Sequence, residues 1–183
     1  MHGMIFAEFK KFVHRSYGED TWRQINQDAG ITRVSNLATE SYPDTELFAL
    51  VAAAAQRSGV PATQLLTRFG EFIVPDLMKV FGAFVDKDWG ALDLLQHTES
   101  VIHRAVRLQD PNAEPPKLRI HRNGPDQVTI VYSSARKLCA VATGIIRGVA
   151  TYYQEPLEVQ ESSCMHSGDS ECTLIATRVR VAA

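Results

Sequence analysis

The strongest constraint on how this chain can fold is a change of hydrophobic period across residues 109–116, QDPNAEPP. Before that stretch the apolar residues recur every three or four positions; after it they alternate. A pattern of one period cannot be satisfied by the other kind of element, so the break separates two kinds of structure. Upstream, MIFAEFKKFVHRSYG sets Ile5, Phe9, Phe12 and Val13 at helical spacing and ends at Gly18. DTWRQINQDA predicts a short helix over 20–29 closed by Gly30, and LFALVAAAAQR predicts another stopped by Ser58 and Gly59. Pro61 suits the first residue of PATQLLTRFGEFIVPDLMKVFG, where its missing N–H has no helical partner to lose. Pro75 is expected to kink or divide that helix. A further helix over about 90–108 carries Leu92, Leu95, Ile102 and Val106 on one stripe.

Downstream, KLRIHR, the turn NGPD and QVTIVYSS spell a hairpin. A helix follows over about 135–153, and LEVQESSCM with ECTLIATRVRV makes a second hairpin around HSGDS. The expected fold class is therefore α+β: a mainly helical part (1–108), then an antiparallel sheet of about four strands with one long helix (117–183). The 183 residues suit a single domain with a sizeable core.

Composition removes several classes of function. A net charge of −2 and a pI of about 6.3 offer nothing to nucleic acid or to an anionic membrane. No run reaches the roughly 18 apolar residues of a membrane span, and Glu8, Lys10 and Lys11 interrupt the N-terminus where a secretory signal would be apolar. Cys139, Cys164 and Cys172 are an odd number, which speaks against a disulfide framework and for a cytoplasmic protein. No Gly-rich phosphate loop, G-x-S-x-G elbow or nucleophile–base pairing is present, so no enzyme is expected.

Three constellations remain. Where the strand QVTIV ends, Tyr132-Ser133-Ser134-Ala135-Arg136 puts a phenol, a hydroxyl and a guanidinium at alternate positions. On a continuing strand these would face one way and suit a carboxylate or phosphate; the plainer reading is a solvated strand end. His103 borders the apolar stripe beside Ile102, as a half-buried ligand or as an ordinary boundary histidine. His97 competes with it, but Gln96, Thr98 and Glu99 around it suggest a solvated position. Cys164 and Cys172 flank Gly168 and would sit opposite each other in the second hairpin. With Cys139 and His166 they form a possible metal set, or else serve as small apolar filler.

Taken together these residues resemble the haem nitric oxide/oxygen binding (H-NOX) family, which includes the haem domain of soluble guanylate cyclase. Y-x-S-x-R stands at Tyr132, Ser134 and Arg136; a histidine followed by a proline, at His103 and Pro116; and the opening M-x-G-x-I, at Met1, Gly3 and Ile5. The resemblance spans the whole chain. It implies haem b held between the helical and sheet parts, with His103 as the protein's ligand to iron. Tyr132, Ser134 and Arg136 would bind the propionates, and Ile5 and Pro116 would press on the porphyrin. Relatives that hold oxygen place a tyrosine five positions beyond the arginine, where this chain has Val141. With Phe9, Ile73 and Ile145 this implies an apolar distal pocket that takes nitric oxide and carbon monoxide but no stable oxygen. Nitric oxide is expected to release His103 and move the 90–108 helix, signalling to a partner such as a histidine kinase or diguanylate cyclase.

Some bacterial members also bind zinc through cysteines placed like Cys139, Cys164 and Cys172, with a histidine shortly before the second. That position here is Glu161, so His166, Glu161 or water is expected as fourth ligand. The hairpin around Gly168 resembles the C-terminal motif of four-vinyl-reductase type domains as well. That alternative makes the chain a small-molecule-binding module with a cysteine-bound metal and no haem, and leaves His103 and Tyr132–Arg136 without a joint role.

Overall fold

The computed structural model describes residues 1–32, 37 and 39–179, which form two compact units divided at Phe69/Gly70. The first unit contains α1 (Gly3–Tyr17), α2 (Glu19–Asp28), α3 (Asp44–Ser58) and the start of α4 (Ala62–Phe81). Helix α1 buries Phe6, Phe9, Phe12 and Val13, the apolar face its spacing predicts. Phe9 is wholly enclosed and meets Phe69 edge-on at 5.4 Å. Leu47 and Leu50 of α3 join this core, and each such buried side chain contributes about 1.5–3 kcal/mol. Arg57 of α3 forms an ion pair with Asp28 of α2. Gly59 ends α3 in the left-handed conformation, the helix-stop geometry that glycine adopts without strain.

The glycine of M-x-G-x-I has a packing reason. Gly3 N donates to Glu40 O at 2.7 Å, and a Cβ on Gly3 would lie 1.9 Å from the Leu37 carbonyl oxygen. Only glycine lets those two stretches of backbone meet.

In the second unit, α4 continues to Phe81 and runs uninterrupted through Pro75, so the expected division there does not occur. A 3-10 turn (Gly82–Phe84) leads on to α5 (Ala91–His97). The helix expected over 90–108 is not a single α-helix. After α5 comes a π-helical segment, Thr98–His103, and then α6 (Arg104–Gln109).

Four strands follow: β1 (Lys117–Arg122), β2 (Gln127–Ser133), β3 (Leu157–Ser163) and β4 (Cys172–Arg178). They form one antiparallel sheet in the order β1-β2-β4-β3. The α+β class and the four antiparallel strands agree with the sequence. In β2, Val128, Ile130 and Tyr132 alternate inward, opposite Ala176, Leu174 and Cys172 of β4. Helix α7 (Cys139–Tyr153) crosses the sheet and packs with α5 around Leu92, Leu95, Ile146 and Val149. It starts four residues later than expected, because 134–138 form a turn in which Lys137 is left-handed (φ 49°). Gly70 of α4 lies directly against α7: a Cβ there would sit 2.3 Å from Val141 O and 2.9 Å from Gly144 Cα. No helix among the described residues is long and apolar enough to cross a membrane.

Candidate functional site

His103 is the last residue of the π-helical segment. Two hydroxyls bond backbone carbonyls around this wide turn, Thr98 Oγ1 to Leu94 O (2.9 Å) and Ser100 Oγ to His97 O (3.3 Å). Such bonds offer the backbone an alternative to a regular ladder, and single π turns inside helices recur at functional sites. The His103 side chain is 13% exposed, and its Nδ1 lies 2.8 Å from Glu99 Oε2. Burial pushes the imidazole below its ordinary pKa; Glu99 and the Pro116 carbonyl oppose that without overcoming it. A neutral ring that donates Nδ1–H to Glu99 would carry its lone pair on Nε2, the form a metal ligand requires.

Glu99 is the residue that sequence reasoning missed. Burial alone would raise its carboxyl, but hydrogen bonds from Arg107 and His103 outweigh that and hold it below the ordinary value. The available signal was the four-residue spacing of Glu99 and His103. His97, for its part, is not the solvated residue its neighbours suggested: it stacks on Trp89 with ring centroids 4.5 Å apart.

The Y-x-S-x-R residues do not continue a strand. Tyr132 is on β2 and buried, packed with Cys139, Met165 and Cys172, whereas Ser134 and Arg136 follow the strand's end. The turn still brings the three together. Tyr132 Oη accepts from Leu138 N (3.2 Å), and Ser134 Oγ bonds toward Tyr132 and accepts from Arg136 N (3.2 Å). Arg136 Nη1 donates to Glu114 O at 2.7 Å, and Nη2 lies 3.7 Å from the exposed Glu114 carboxylate. One loop thus serves both motifs, since Glu114 holds Arg136 and Pro116, two residues on, acts on His103.

The apolar candidates divide between the units. Ile5 is half-buried on α1, and Phe9 lies in that unit's aromatic core, edge-on to Trp22 as well as Phe69. In the second unit Ile73 is buried, and Val141 and Ile145 are half-buried on α7. None of these four positions, Phe9, Ile73, Val141 and Ile145, carries a hydrogen-bond donor.

The cysteines do converge. Cys139 Sγ is 3.8 Å from Cys164 Sγ, which is 3.9 Å from Cys172 Sγ. Together with a Glu161 carboxylate oxygen, all their ligand atoms lie within 4.8 Å of one another. Cys164 falls just beyond β3, and the Ser163–Thr173 pairing that ends the ladder leaves it opposite Cys172, as the hairpin reading expects. His166 is outside the group, its Nε2 lying 2.8 Å from the Lys137 carbonyl, so the fourth donor present is Glu161. Burial pushes the Cys139 and Cys172 thiols up, reinforced in each case by the Cys164 thiol nearby. Thiols so placed would give up their protons on binding a thiophilic cation.

Known proteins share this architecture. The haem-NO-binding family model matches residues 2–161. Soluble guanylate cyclase gcy-32 of Caenorhabditis elegans is 25% identical over 157 residues, covering 82% of this chain but 23% of that protein. Soluble guanylate cyclase 89Db of Drosophila melanogaster is 24% identical over 138 residues, covering 74% of this chain and 20% of its own length. The chain therefore spans about a quarter or less of the curated relatives it matches. A crystal structure of an H-NOX protein from S. oneidensis in the Fe(II)NO ligation state superposes with a TM-score of 0.92 at 27% identity, covering 98% of this chain and 100% of that one. The Fe(II) unliganded H-NOX protein from K. algicida shares the fold at a TM-score of 0.88 and 19% identity, with 100% and 99% covered.

The raised thiols give the metal-free protein a pH signature. Cys139 and Cys172 both lie above the ordinary value of 9.0 when folded, so the fold favours their protonated forms. That contribution is complete below about pH 9 and is lost as pH rises from there toward the folded values. In chelator, the thermal midpoint should fall more steeply above about pH 9 for the wild type than for Cys139→Ala. Equal slopes would mean the thiols are not held protonated by the fold.

Proposed function

Because the chain belongs to the haem-NO-binding family, we propose that it is a gas sensor in which His103 ligates the iron of haem b and nitric oxide or carbon monoxide is the signal. The observation that carries this reading is the largely buried His103 imidazole, its Nδ1 held 2.8 Å from Glu99 Oε2. The remaining residues fit the same cofactor. Tyr132, Ser134 and Arg136 form a connected donor group for two propionates, and the Glu114 carboxylate beside Arg136 is 82% exposed, a partner that a propionate can replace. Charged hydrogen bonds of that kind contribute about 1.5–3 kcal/mol. Ile5 and Pro116 would lie against the porphyrin.

Bound haem supplies a ferrous iron with one axial position for a diatomic gas. Phe9, Ile73, Val141 and Ile145 would line the gas side, and their lack of a donor favours nitric oxide and carbon monoxide over oxygen. A change in the pull on His103 is felt first by the π-helical segment, which touches α5, α6 and β1. Through those elements the signal would pass to a partner such as a histidine kinase or diguanylate cyclase. We further propose that Cys139, Cys164, Cys172 and Glu161 hold zinc, which would join the second hairpin to the start of α7.

Protein reconstituted with haem should show a Soret band, and His103→Gly should lose the haem or need added imidazole to keep it; an unchanged ferrous spectrum in that variant would move the assignment to His97. Reduced, haem-loaded protein mixed with air should decay to the ferric spectrum, whereas retention of oxygen for hours would reveal a donor among the gas-side residues. Elemental analysis after purification without chelator should find about one zinc per chain; far less zinc, with three freely titrating thiols, would return the cysteines to core filling.

A further inference from the structure

Glu99 is placed for more than an ion pair on a helix surface. Its two oxygens reach three elements: Oε2 meets His103 Nδ1 at 2.8 Å and accepts from Leu118 N of β1 at 3.3 Å, while Oε1 accepts from Arg107 Nη2 of α6 at 2.8 Å. A side chain free to wave in solvent makes no such set. Its carboxylate cannot swing away from His103 without also leaving the sheet's first strand. We infer that Glu99 is the positioning residue of this sensor, fixing His103 in the Nδ1–H tautomer, aiming Nε2, and strengthening it as a donor to iron.

The inference rests on His103 being the haem ligand and adds to it a particular control. A histidine bound to metal through one nitrogen commonly gives its other N–H to a carboxylate, which orients the ring and raises its basicity. A full carboxylate draws Nδ1–H more strongly than a neutral acceptor does, because a hydrogen bond to an ionised group is the stronger kind. In this chain the strength of the iron–histidine bond, and with it the readiness of His103 to let go, would be set by a residue that never touches the haem. Leu118 N, which bonds the same oxygen as His103, holds the carboxylate to that task, while Arg107 bonds the other oxygen. The plainer reading is a structural network in which Glu99 merely links α6 and β1; it predicts that Arg107 and Glu99 variants behave alike.

Glu99→Gln separates the two, because the amide keeps an acceptor and the side chain's shape but loses the charge. Ferrous, haem-loaded wild type, Glu99→Gln, Glu99→Ala and Arg107→Ala are compared by resonance Raman for the iron–histidine stretch and by the rate of haem transfer to apomyoglobin. Thermal midpoints report folding. The expected result is a lower stretching frequency in Glu99→Gln with little loss of stability, and a frequency in Arg107→Ala close to that of the wild type. Haem transfer should be fastest in Glu99→Ala, by roughly 10–100-fold. Should Glu99→Ala fail to fold, the comparison of Glu99→Gln with Arg107→Ala decides alone. An unchanged frequency in Glu99→Gln, or an equal shift in Arg107→Ala, overturns the positioning role while leaving the haem assignment intact if His103→Gly still loses haem. A wild-type chain that takes up no haem overturns both.

Discussion

Both candidate sites depend on one cross-strand row. Leu118 of β1 pairs with Tyr132 of β2, and Tyr132 pairs with Cys172 of β4. Because side chains alternate, a slip of one residue in either pairing would turn Tyr132 or Cys172 to the other face of the sheet. At one end of the row, the Leu118 amide meets the carboxylate that bonds His103. In the middle, the Tyr132 hydroxyl takes the amide of Leu138, immediately before α7 begins. At the other end, Cys172 lies among the thiols. The inward alternation of Val128, Ile130 and Tyr132 against Ala176, Leu174 and Cys172 keeps the register. Burial in the sheet's core therefore fixes polar chemistry at its edge.

Much of this was legible in the residues. The change of period at 109–116 marks where helices give way to strands, and NGPD marks the first turn, because both signals are local in sequence. His103 and the three cysteines were identifiable by type. What could not be read was decided by tertiary contact. Tyr132, Ser134 and Arg136 look like one face of a strand, but Tyr132 is drawn into the core and the chain turns at 134–138. Glu99 stands four residues before His103, but the bond from the Leu118 amide of β1 that holds its carboxylate there is a tertiary contact. His166 has the right parity for the thiol group, yet the 3-10 turn Met165–Ser167 carries it to the Lys137 carbonyl, and the β3 irregularity leaves Glu161 in its place.

The two sites also stand differently toward the family. The matched stretch, residues 2–161, includes His103, Pro116 and Tyr132–Arg136, while Cys164 and Cys172 lie beyond it. The case for a thiol-bound metal therefore comes from this chain's own geometry. Buried, protonated thiols are poor nucleophiles, so Cys139 and Cys172 would gain thiolate character only by taking up a cation.

The π-helical segment can be seen as a matter of chain length. Each residue of a regular helix turns its successor by about 100°. A wide turn between two ordinary helices holds surplus chain, and the surplus sets the azimuth of everything after it. Between Thr98 and His103 that surplus decides which way the histidine looks. A one-residue deletion before His103 would turn the ring by about 100° relative to α5. The direction of the ligand is thus stored in a residue count as much as in any side chain, so gaps in this segment carry more functional meaning than substitutions at its exposed positions.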